Sequence, residues 1–142
     1  MNINALGAGL ARELAGRLSV VVPESFAVSP SGDTVEVRST RAPWVATSLV
    51  GHLLDQPMDT RTLVEIAAFN ALDTVQDYVS EVLREPWPTL AGRGALSRTM
   101  ALAGVAIDGD ALHLWYGERE KPALSLASIK LTDLGEVLGT PR

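Results

Sequence analysis

The chain has no cysteine, and that absence excludes a disulfide framework, a thiol nucleophile and any thiolate-held zinc or iron–sulfur centre. It has only two histidines, His52 and His113, each standing alone, and no Gly-x-Ser-x-Gly elbow, so no Ser-His-acid triad can be built from spacing. Basic residues are also in deficit, 12 against 17 acidic, for a net charge of −5. The deficit is shared by both halves, with −2 over residues 1–71 and −3 over 72–142. A nucleic-acid binder needs a basic patch, and no basic stretch stands out here. No window approaches the 18 or so uncharged apolar residues of a membrane span. The opening MNINALGAGLARELAG lacks a basic leader, and Arg12 and Glu13 break its apolar character, so it reads poorly as a signal peptide. A cytoplasmic protein without nucleic-acid or membrane partners is the expectation.

What is present points to a folded domain. At 142 residues with 46% apolar and 20% charged content, the chain is most simply one domain. A chain of this size buries roughly 70% of its unfolded surface, enough for a core without staples. Ile3, Leu6, Leu10, Leu14 and Leu18 recur every three or four residues and predict an amphipathic helix over 3–18. LSVVVPESFAVSPSGDTVEVRS follows, with β-branched residues, a turn cluster at SPSGD and strict alternation after it. Val35 and Val37 point one way, Thr34, Glu36 and Arg38 the other, which predicts a hairpin. APWVATSLVGHLLD carries a helical stripe (Val45, Ala46, Leu49, Val50, Leu53, Leu54) opened by Pro43, although Trp44–Ala46 also suits the end of a strand.

The strongest predicted helix spans 60–84. Thr62 and Glu65 offer a capping box, Val64, Ala68, Ala71, Leu72, Val75, Val79 and Val82 form the buried stripe, and Phe69 and Tyr78 lie at its margins. Pro86 ends it. EPWPTLAGRGALSRTM is a long connection, a length at which loops tend to be functional or mobile. ALAGVAI-DGD-ALHLWYG is a second hairpin, ALSLASIKL a third strand of that group, and TDLGEVLG a short terminal helix. SGDTVEVRS and DGDALHLWY rhyme, but turn chemistry alone accounts for so short an overlap.

AIDGDALHLWYGEREK, residues 106–121, concentrates the chemically interesting side chains. As a calcium loop it fails: Asp108 and Asp110 fill the first and third positions, but Leu112 and His113 stand where an oxygen ligand and a glycine are required. Asp-Gly between alternating runs is instead a strong hairpin signal. Beyond the turn, period two sets Leu112, Leu114 and Tyr116 on one face and Ala111, His113 and Trp115 on the other. With the leucines turned to the helices, His113 and Trp115 share the back of the sheet. Glu36 and Arg38 join them if both hairpins belong to one sheet. An outward tryptophan among charges suits a contact surface; the plainer alternative is a tryptophan covered by a loop or by the 43–54 helix.

Other motifs have plainer explanations. His52 and Asp55 lie three apart on a predicted helix, but two ligands are too few for a metal site. Asp73, Asp77 and Glu81 repeat every four residues, an acidic stripe that is either a solvated face or a docking site for a basic partner. Gly7 and Gly9 lack the third glycine and the preceding strand of a dinucleotide fingerprint. GRGALSR at 92–98 suits a flexible connection better than an anion cradle, since it lacks the P-loop lysine.

Interleaved helices and antiparallel hairpins predict an α+β, two-layer sandwich. Its antiparallel sheet is built from two hairpins plus a further strand, packed on one face against helices. The order of helix, hairpin, helices and further strands resembles the secretion-chaperone type of α+β sandwich, a likeness of architecture with no motif behind it. Surface features without a convergent reactive set point to a non-enzymatic protein-binding or chaperone-like module, with a homodimer as the expected assembly. The residues expected to touch a protein partner are Trp115, His113, Glu36 and Arg38 on the sheet and Asp73, Asp77 and Glu81 on the helix. No cofactor or metal is expected. The alternatives are a small-molecule-binding domain or small enzyme lidded by the 86–99 loop, and a structural or assembly subunit of a larger complex.

Overall fold

In the computed structural model, which describes residues 3–89 and 100–134, the leucine spacing of the N-terminal segment becomes helix α1, Ile3–Val21. Leu6, Leu10, Leu14 and Leu18 are all buried, so packing holds this helix despite its glycines. One of those glycines has a packing role. A Cβ on Gly7 would lie 3.0 Å from the Gly51 Cα, which explains the residue where a dinucleotide fingerprint did not.

The first hairpin joins β1 (Phe26–Ser31) to β2 (Thr34–Ser39). Val28 pairs with Val37 across the ladder, and Phe26, Val28, Val35 and Val37 are buried beneath α1. A third strand, β3 (Ala46–Ser48), pairs antiparallel with β2 through Val37–Ala46 and Val35–Ser48. The helical stripe predicted from Pro43 therefore starts later than expected: only Val50–Leu54 form a helix, α2. The reason is visible in the burial. Val45, Thr47 and Leu49 are exposed while Ala46 and Ser48 turn inward, a period of two imposed by the open edge of β2, overriding local helical spacing.

Helix α3, Thr60–Leu83, is the long helix expected. Its cap is not the predicted box. Asp59 accepts from the Thr62 backbone N–H at 3.0 Å, while Glu65 turns away and accepts from the Ile107 backbone N–H at 2.8 Å. Aspartate is a strong cap in its own right, which leaves Glu65 free to serve a strand edge.

The second hairpin joins β4 (Ala103–Asp108) to β5 (Ala111–Gly117). The predicted third strand is two: β6 (Pro122–Ser125) pairs with Trp115–Gly117, and β7 (Ile129–Lys130) pairs with Ala111 and Leu112. Both occupy the same edge of β5, one after the other. Leu131–Leu134 form a 3-10 turn; the rest of the predicted terminal helix lies outside the described residues, as do residues 90–99 of the long connection, including the 92–98 motif.

The architecture is the expected α+β sandwich, with the strands divided between two antiparallel sheets, β1-β2-β3 and β4-β5-β6/β7. One apolar cluster runs from α1 through both sheets to α3. Tyr116 anchors the second sheet to α3, its buried hydroxyl donating to the Leu72 carbonyl at 2.7 Å, and Trp87 packs edge-on against its ring at 5.5 Å. Burial, with Asp73 and Asp77 nearby, pushes the Tyr116 hydroxyl far above its usual range, so it remains a donor. Among the described residues no helix is long and apolar enough to cross a membrane.

Candidate functional site

Two surfaces gather the residues singled out above. The first is the outer stripe of α3. On a helix turning about 100° per residue, Asn70, Thr74 and Tyr78 look toward the first sheet, and the bonds agree. The Ser48 hydroxyl donates to Asn70 Oδ1 at 2.7 Å and the Tyr78 hydroxyl to the Trp44 carbonyl at 2.7 Å. On the opposite flank Glu65 meets β4, and the Gln76 amide donates to the Ala101 carbonyl at 2.5 Å. Between these flanks, facing away from the core, run Thr62, Ile66, Phe69, Asp73 and Asp77.

Ile66 and Phe69 are each at least 40% exposed. Trp44, Val45, Leu49 and Leu102 are exposed as well, but Trp44 packs against Tyr78, and Val45 and Leu49 alternate with Ala46 and Ser48, which turn inward. Of the eight large exposed apolar side chains among the described residues, Ile66 and Phe69 are thus the two that share the outer face of α3. Soluble proteins seldom expose contiguous apolar patches without a use for them.

The acids continue this stripe. Desolvation, and then the neighbouring Asp77 carboxylate, push the Asp73 carboxyl above its usual range. Asp77 and Glu81 are exposed. The ion pairs among the described residues are Arg17–Glu13 and Arg38–Glu36, so none of the three acids has a described cation against it. The sequence singled out these acids but set Phe69 at the margin of the buried stripe and passed over Ile66. Placing Ile66, Phe69 and Asp73 on one helical wheel opposite Ala68 and Ala71 was the available signal.

The second surface is the back of β5. Leu112, Leu114 and Tyr116 are buried and His113 and Trp115 half-buried on the other face, as alternation requires. Trp115 is not core, and it does not swing freely. Its indole lies over Gly104, the residue opposite it on β4, where a Cβ would come within 2.4 Å of the ring. Its Nε1–H donates to the Gly117 carbonyl at 3.1 Å, and the Arg119 guanidinium sits over the ring, 5.5 Å from its centroid. His113, Trp115, Arg119, Pro122 and Ser125 line an open notch of roughly 230 Å³. Arg119 and Ser125 escaped sequence reading because only the path of β6 brings them to β5.

Glu36 and Arg38 do not join this surface. They pair with each other on the outer face of β2, which belongs to the other sheet. His52 and Asp55 are exposed at α2, and no group of three or more potential metal-ligating side chains occurs among the described residues. No family model matches the chain, and neither a curated protein nor a solved structure does.

Proposed function

We propose that this chain is a non-enzymatic, chaperone-like protein-binding module, and that the outer stripe of α3 is its docking surface. The observation that carries the reading is the coincidence along the outer side of α3 of exposed Ile66 and Phe69 with Asp73, Asp77 and Glu81, acids that have no ion-pair partner among the described residues. Apolar area supplies the driving force for association, and the acids select the partner: a segment with exposed aliphatic or aromatic side chains followed by lysines or arginines. A second copy of this chain fits less well, since it adds five further net negative charges and brings its own acidic run.

The test is a photo-crosslinking residue at position 69 of the full chain, used in the native source, with the crosslinked peptide identified by mass spectrometry. A single partner whose crosslinked peptide combines apolar and basic residues, lost in the Asp73→Lys/Asp77→Lys variant, is the expected result. Crosslinks only to a second copy would make the stripe a self-association surface. Absence of any crosslink, or crosslinks indifferent to the charge reversal, would remove it as a docking site.

A further inference from the structure

The notch beside Trp115 is separate from the α3 stripe, and its origin lies in how β5 is paired. β6 covers Trp115–Gly117 and β7 covers Ala111 and Leu112, so one edge of β5 changes partner at His113. Leu126 still donates to the Leu114 carbonyl at 3.2 Å, but Ala127 and Ser128 leave the ladder, and Arg17 of α1 donates to both of their carbonyls, at 3.4 and 3.0 Å. The concavity opens beside this change of partner, on the outer face of β5.

From its lining we infer that this notch binds a small aromatic carboxylate, with the ring between Pro122 and the edge of the Trp115 indole and the carboxylate on the Arg119 guanidinium. The indole is a preset wall: Gly104 leaves it room, the Gly117 carbonyl holds its N–H, and little side-chain entropy is left to lose on binding. Arg119 supplies a cation that Glu118 and Glu120 leave unpaired, for neither forms an ion pair with it. A guanidinium resting on an aromatic face keeps donors free to fork onto a carboxylate.

The rest of the lining agrees with an anion. Ser125 stands directly opposite Trp115 in the ladder and His113 two residues before it, so both present hydrogen-bonding groups on that face. Lys130, opposite Ala111, adds positive charge to the same side of the sheet. Roughly 230 Å³ lies below the range of pockets for drug-sized ligands, about 300–1,000 Å³, which fits one ring and a carboxylate and excludes a nucleotide.

The acid can come from a free small molecule or from the C-terminus of a peptide ending in an aromatic residue, and the titration separates these. The full chain, ¹⁵N-labelled, is titrated with benzoate, with benzamide as the uncharged isostere, and with N-acetylphenylalanine as a mimic of a chain end. Benzoate is expected to shift the Trp115 indole N–H and the amides of His113 and Ser125 saturably. Benzamide and the Arg119→Gln variant should each bind about tenfold more weakly, the loss of a charge-assisted hydrogen bond. Tighter binding of N-acetylphenylalanine assigns the site to a peptide terminus, weaker binding to a free acid. No saturable shift with either acid, equal binding of benzamide, or unchanged affinity in Arg119→Gln overturns the site. Arg119 is exposed, so that variant tests binding without disturbing the core.

Discussion

The two hairpins start from the same chemistry and end with different outer faces. Each turns on a glycine in the left-handed region, Gly32 at φ 61° and Gly109 at φ 63°, and each then sends alternate side chains into the shared core. In the first, the outer face of β2 closes on itself through the Glu36–Arg38 pair. In the second, the outer face of β5 holds a tryptophan seated on Gly104, an arginine with no acidic partner, and a notch where two short strands share an edge. The first hairpin is finished as a structural unit; the second has polar and aromatic groups left over. Matching turns and matching core faces therefore say little about what a sheet does on its other side.

The comparison can be strained first at the core. Tyr116→Ala should destabilise the protein by about 3–5 kcal/mol, through a cavity and the lost bond to the Leu72 carbonyl, and Val37→Ala by about 2–3 kcal/mol, both read by urea denaturation. Equal small losses would show that the second hairpin is not anchored through α3 as described. Gly104→Ala comes next. Its methyl must displace the indole, at a cost of about 1–3 kcal/mol, with a changed Trp115 indole N–H resonance as the local readout. An unchanged resonance would mean that the ring is not seated on that glycine.

Gly32→Ala and Gly109→Ala should each cost about 1–2 kcal/mol, and equally, because both force a Cβ into the left-handed region with nothing else nearby. A clear inequality would show that the two turns are less alike than their dihedrals. Smallest is the surface pair: Glu36→Ala should change stability by less than about 0.5 kcal/mol, and less still in high salt.

The acidic stripe gives a pH-dependent contrast of similar size. Asp73 has a raised carboxyl pKa in the folded state, so folding is favoured when it is protonated, and that contribution disappears as pH rises through the folded-state value. At neutral pH the charged group is a mild liability, and Asp73→Asn should stabilise by about 0.2–0.5 kcal/mol, the scale of a like-charge pair one helical turn apart. The gain should vanish below the ordinary carboxylate range. A variant less stable at neutral pH would show that Asp73 has an attractive partner.

Much of the fold could be read from periodicity. The leucines of α1, the alternation of β2 and β5 and the apolar stripe of α3 each state which side is buried, and the side chains comply. Reading failed where a short segment had two local options. Residues 45–49 suit a helix or a strand, and the unpaired edge of β2 chose the strand. Residues 123–131 read as one strand and became two, because the chain leaves the ladder at Ala127 and Ser128. The candidate site was half visible. Trp115, His113, Asp73 and Asp77 stood out by residue type and spacing, but Ile66 and Phe69 looked like ordinary members of a long apolar helix.

By itself, then, the amino-acid order determined which faces are apolar, where the chain turns and which chemistries are impossible, since these follow from side-chain type and the two backbone repeats. Only tertiary structure decided that the hairpins occupy separate sheets, that Glu65 serves a strand edge instead of a helix cap, and that Arg119 and Ser125 meet Trp115. Those outcomes depend on contacts between residues far apart in the chain, where unfilled hydrogen bonds and leftover apolar area, and not local preference, set the minimum of free energy.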